Sequence, residues 1–132
     1  MTGPKDTHRN LASLKLPRRV AALISYAQGI VKGATNNPNL PQPVPSVAAL
    51  TQALTDLQNA ETAALARTKG AVAARNEKRT TLISLLTQLR GYVQVQADAN
   101  PETGASIIES VGMAVKKAPN RLRKMRFDVA RA

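Results

Sequence analysis

The sequence predicts an all-α protein: an up-down antiparallel helical bundle of three long helices and one short one, with a proline-rich crossover and basic terminal arms. Three observations predict it. Aliphatic residues recur at spacings of three and four through most of the middle of the chain. Four prolines interrupt that pattern within residues 34–45. The only aromatic residues are Tyr26, Tyr92 and Phe127, so the core must be built from Leu, Ile, Val and Ala, which suits closely packed helices better than a sheet. A chain of 132 residues holds one modest domain. The expected division is a basic N-terminal arm over 1–16, a helical bundle over 17–116 and a basic C-terminal tail over 117–132.

Residues 1–15 show no sustained period and contain Gly3, Pro4 and Asn10, which predicts an arm ordered only against a partner. Pro17 suits a first helical turn, where its missing N–H is no loss. Val20, Leu23, Ile24, Ala27, Ile30 and Val31 form the apolar stripe of a first helix over 17–33, with Gly33 as its C-cap. Pro38, Pro41, Pro43 and Pro45 exclude a helix and predict an extended strap, pinned by Leu40 and Val44. Ser46 is the N-cap of a second helix running to Lys69, with Val47, Leu50, Leu54, Leu57, Ala60, Ala64 and Leu65 inward and Gly70 just beyond its end.

The third helix is predicted over 71–97. Leu82, Leu85, Leu86, Leu89 and Val93 are inward, Ile83 and Tyr92 marginal, and Arg75, Glu77, Lys78 and Arg79 face water. The second and third helices should form an antiparallel hairpin around Lys69-Gly70. Asn100-Pro101-Glu102 reads as cap, first-position proline and first-turn acid of a fourth helix. Ile107, Ile108, Val111 and, at its end, Val115 give it an inward face, Gly104 and Gly112 weaken it, and it should end by Lys116. In the tail, Pro119-Asn120 marks a turn, and Met125 to Val129 reads equally as a short strand or a helical turn.

Charge separates the ends from the body. Lys5, Arg9, Lys15, Arg18 and Arg19 against Asp6 give residues 1–19 a charge of +4. Lys116, Lys117, Arg121, Arg123, Lys124, Arg126 and Arg131 against Asp128 give residues 116–132 a charge of +6. The 96 residues between carry only +1 of the total +11. Lysine and arginine on terminal arms neutralise phosphates without a formed pocket, so Arg18, Arg19, Lys116, Lys117, Arg121, Arg123, Lys124 and Arg126 are the candidate contacts to a polyanion or a partner. Acidic patches on a neighbouring subunit would suit the same cations.

Side chains for catalysis are scarce. With no cysteine there are no disulfides, thiolate metal sites or cysteine nucleophiles. His8 is the only histidine and lies in the predicted arm, without the rigid frame a general base needs. Asp56, Glu61, Glu77, Asp98, Glu102 and Glu109 are spread over three predicted helices, with Glu61 near the inward stripe. No Gly-rich phosphate loop is present, and the abundant Ser and Thr residues lack a companion histidine. A non-enzymatic protein with no cofactor and no metal is expected. Met1 to Lys15 is polar and lacks the apolar run of a secretory signal, and no stretch approaches the roughly 20 apolar residues of a membrane span. The expected location is the cytoplasm, or the interior of a virion or similar particle.

The segment NNPNLPQPVP at 36–45, then SVAALTQALTDLQNAETAA, then ARNEKRTTLISLLTQLRGYVQVQADAN, resembles an uncharacterised helical domain of bacterial and phage-like proteins that often precedes a fibronectin type III-like module. The resemblance covers about Ser25 to Lys117. It is strongest at Asn37-Pro38-Asn39-Leu40-Pro41 and from Leu89 to Val95. It implies a structural or interaction module and no reaction. Alanine-rich stripes leave a thin core in a monomer of this size, which favours burial against other protein subunits, copies of the chain included. A structural subunit of a larger assembly, such as a phage-like virion, is therefore the expected role. Sequence-nonspecific nucleic-acid binding through the basic termini is the alternative.

Overall fold

A computed structural model describes residues 10–117. These residues are mostly helical, with four helices and one small antiparallel sheet. In chain order they are β1 (Asn10–Ser13), α1 (Val20–Ala34), α2 (Val47–Leu65), α3 (Ala71–Ala99), α4 (Gly104–Ser110) and β2 (Ala114–Lys117). α2 packs along α3 and against α1, and α4 packs on α3. The core between them is aliphatic, as the stripes require. Leu23 and Ile30 of α1, Leu50 and Leu57 of α2, Leu82, Leu86, Leu89 and Val93 of α3, and Ile108 of α4 are fully buried. Each such side chain stabilises the fold by about 1.5–3 kcal/mol.

Four residues of the expected N-terminal arm, Asn10–Ser13, form a strand; residues 1–9 lie outside the described residues. Asn10 to Ser13 pair with Lys117 to Ala114, so residues at both ends of the described chain are held together. The outer edge of β1 is met by a side chain rather than a strand. The Gln94 amide of α3 accepts from Ala12 N–H (2.8 Å) and donates to the Asn10 carbonyl (2.9 Å), as a neighbouring peptide group would. Beyond β1, Lys15 N–H donates to the Tyr26 hydroxyl, and the Arg18 carbonyl accepts from Arg79 Nη2. The chain thus runs back along α3 from the level of Gln94 to that of Arg79 before α1 begins. That path is why α1 starts at Val20 instead of residue 17: residues 10–18 are committed to α3, and the first helical bond is Leu23 N–H to the Arg19 carbonyl.

Helix ends differ from expectation for local reasons. Gly33 lies inside α1 and does not cap it; a Cβ there would sit 2.8 Å from the Ser110 carbonyl oxygen and 2.9 Å from the Val111 backbone. Asn37 closes the strap onto both helices, its Nδ2 donating to the Gly33 carbonyl and to Ser110 Oγ and its Oδ1 accepting from Asn39 N–H. Leu40 is buried in the core, whereas Val44 is 59% exposed and pins nothing. Ser46 caps α2 as expected, accepting from Ala49 N–H.

α2 ends at Leu65, short of Lys69, because Arg67 adopts the left-handed conformation (φ 62°). Its N–H donates to the Ala64 carbonyl and that of Thr68 to Ala63, the paired bonds of a Schellman turn. Gly70, also left-handed (φ 77°), begins α3 rather than ending α2. Asn100 closes α3, its Nδ2 donating to the Gln96 carbonyl, and α4 starts only at Gly104, after a turn over 101–103. A second Schellman turn at Gly112 (φ 88°) stops α4 at Ser110, and the chain continues as β2 where a helix to Lys116 was expected.

Candidate functional site

The core does not extend to the end of the α2–α3 hairpin. The aliphatic stripe of α3 (Leu82, Leu86, Leu89 and Val93) gives out before Leu82: toward the turn Arg75 and Arg79 are half-buried, Lys78 is exposed and Ala71 alone is buried. Opposite this stretch, α2 continues past Leu57 with Glu61 and alanines. Between residues 58 and 81 only Ala71 is buried. Eight residues of α2 beyond Leu57 and eleven of α3 before Leu82 make a projection of about 12–16 Å at 1.5 Å per residue. The two arms are bridged by Arg75 Nη1 and Glu61 Oε1 at 3.4 Å, both half-buried. Glu61 does face inward, and Arg75 is its partner.

The tip of this projection is apolar and cationic together. Leu65 is 73% exposed and Val72 is 53% exposed, so Leu65 is not the core residue its spacing predicted. Arg67, Lys69 and Lys78 are exposed around them. Two of the expected contact residues, Arg18 and Arg19, are exposed and brought to the same end of the molecule through the bond from Arg79 to the Arg18 carbonyl (3.0 Å). Arg79 is half-buried there, and its Nε has no hydrogen-bond partner among the described residues. Arg18, Arg19 and the five cations of residues 58–81, against Glu61 and Glu77, give this end +5.

The other expected contacts fall elsewhere. Lys116 is exposed on β2 and, with Arg90, lines an open groove of about 360 Å³ between residues 11–16 and α3, floored by Leu11, Leu14 and Leu16. Lys117 pairs through its backbone with Asn10. Arg121, Arg123, Lys124 and Arg126, the proposed turn at Pro119-Asn120, the choice between strand and helix at 125–129, and His8 lie outside the described residues. Arg67, Lys69, Arg75 and Lys78 were not among the expected contacts; only Arg75, two turns before Leu82 on the same face, carried a signal in its spacing.

The other end of α3 is locally acidic, although exposed Lys32 lies in the last turn of α1, which packs against the end of α4. Residues 91–115 contain Asp98, Glu102 and Glu109 and no Lys or Arg. Ala99, Asn100, Pro101, Glu102 and Thr103 surround an open hollow of about 320 Å³ at the end of α3. Val95, one turn before it, is 62% exposed. Among the described residues no cluster of His, Asp and Glu is arranged to hold a metal ion, and no helix is long and apolar enough to cross a membrane. No protein-family model, curated protein or solved structure matches this chain.

Proposed function

We propose that this chain is a non-enzymatic interaction protein that packs as a subunit into a larger assembly, such as a phage-like virion particle, with its helices as an up-down bundle of three long members and one short. One observation carries the reading: a helical hairpin continues past its own core and exposes Leu65 and Val72 on either side of a turn that carries exposed Arg67 and Lys69. Exposed aliphatic side chains on a projecting element gain burial only from a partner. Arg67 supports the same reading. A glycine would hold the left-handed turn with less strain, so the chain keeps a cation at the tip at a local cost of about 1–2 kcal/mol.

The test is the size of the chain's complex in extracts of its native host. The proposal expects elution at a mass well above 14.1 kDa, and a shift to monomer when Leu65→Asp and Val72→Asp are combined. Elution of the wild type as a monomer overturns it.

The second reading, sequence-nonspecific nucleic-acid binding, is favoured by the +5 of residues 58–81 with Arg18 and Arg19, together with the basic termini. It expects affinity that falls steeply with salt and weakens when Arg67→Ala and Lys69→Ala are combined with removal of the cations at 121–126. Unchanged binding in that variant refutes it.

A further inference from the structure

We propose that the hairpin tip docks into the acidic end of a second copy of this chain, giving a head-to-tail contact: Leu65 seated in the hollow over Ala99–Thr103, with Arg67 and Lys69 beside Glu102. This rests on the reading of the tip as a docking element and names its partner.

Three observations single out the second copy. The two docking faces are complementary in charge: the tip, residues 62–74, carries Arg67 and Lys69 and no acid, and the chain around the hollow, residues 95–106, carries Asp98 and Glu102 and no Lys or Arg. They are complementary in shape and polarity: an exposed leucine projects at one end, and an open hollow bounded by Ala99 and Pro101, with exposed Val95 one turn away, receives it at the other. They also lie at opposite ends of one rigid element, since α3 spans 29 residues, or about 43 Å. A contact between unlike faces that far apart does not close on itself in a pair, and it propagates as a ring or an open filament.

The total charge of +11 does not oppose this. At physiological ionic strength the screening length is about 8 Å, so a docking tip senses the carboxylates beside it and little of the charge about 40 Å away. The contact is small and therefore weak, with dissociation constants on the order of 10 µM to 1 mM for one interface.

The experiment uses sedimentation of the full chain over a range of concentration, with one variant for each face. Leu65→Asp with Arg67→Glu blocks the tip; Ala99→Arg with Glu102→Lys blocks the hollow. All four positions are exposed, and unchanged thermal unfolding of each variant confirms an intact fold. Should the first variant fold poorly, Lys69→Glu alone replaces it. The wild type should grow through dimer and higher species with concentration, and less so at high salt. Each variant alone should associate at least about tenfold more weakly, because like charges now face each other. An equimolar mixture of the two should associate again, through the intact tip of one variant in the intact hollow of the other and through the charge-reversed tip against the charge-reversed hollow. A wild type that stays monomeric at about 1 mM, a single-face variant that still assembles, or a mixture that does not pair would each overturn the inference. Monomeric purified protein found beside a high-mass complex in native extract would remove the second copy as partner and leave the interaction reading standing.

Discussion

Gly33 separates packing from helix propensity within one helix. Gly29 and Gly33 are both inside α1, and an alanine at Gly29 would meet nothing within 4 Å of its Cβ. At Gly33 the same atom would lie 2.8 Å from the Ser110 carbonyl oxygen and 2.9 Å from Val111 C and Cα. These neighbours are backbone, fixed by the Schellman turn that ends α4, so they cannot rotate away as a flexible side chain would. Overpacking of this kind costs about 1–3 kcal/mol. The gain from replacing a helical glycine returns about 0.5–1 kcal/mol. Gly33→Ala should therefore destabilise by about 1–2 kcal/mol, while Gly29→Ala stabilises by about 0.5–1 kcal/mol. In a domain this size, 1 kcal/mol moves the melting temperature by roughly 4 °C, so the two variants should lie on opposite sides of the wild type. Urea unfolding followed by far-UV circular dichroism reads both. A Gly33→Ala protein as stable as Gly29→Ala would refute the close approach of α1 to the end of α4.

Other substitutions report on other parts of the structure. Gln94→Leu strands the buried Ala12 N–H and should cost about 1–3 kcal/mol, with faster amide exchange at residues 10–18. Ser46→Ala removes the cap of α2 and should lower stability by about 1 kcal/mol in urea unfolding. Arg67→Gly relieves the left-handed turn and should raise the melting temperature, while weakening any anion-dependent association of the tip. Leu65→Ser, at an exposed position, should change stability by less than about 0.5 kcal/mol, in contrast to Leu57→Ala in the core at about 2–5 kcal/mol.

The helices were legible because their stripes are long. Leu23, Ala27 and Ile30 recur as α1 needs, and Leu82 to Val93 marked the heart of α3. The strap and the Ser46 cap were legible because proline and serine act locally. The sheet was not: two four-residue strands about a hundred residues apart carry no period, and their pairing depends on a Gln94 side chain lying across a helix. Arg67 hid the end of α2, since the left-handed residue is the arginine and the glycine signal at Gly70 belongs to α3. The site was half legible. Arg18 and Arg19 stood out as charges, yet nothing local says that the Arg18 carbonyl accepts from Arg79. Leu65 continues an apolar period with no apolar surface opposite. Comparing the inward faces of both helices, with Arg75 facing Glu61, would have shown that the core of α2 ends about two turns earlier, at Leu57.

The account depends on a hairpin that outruns its core, and amide hydrogen exchange of the dilute chain measures this directly. Protection should be strong at 50–57 and 82–93 and lower by orders of magnitude over 58–81, where one salt bridge and small side chains join the helices. Uniform protection from residue 50 to residue 93 would mean that the projecting segment is as firmly packed as the rest, and would contradict it.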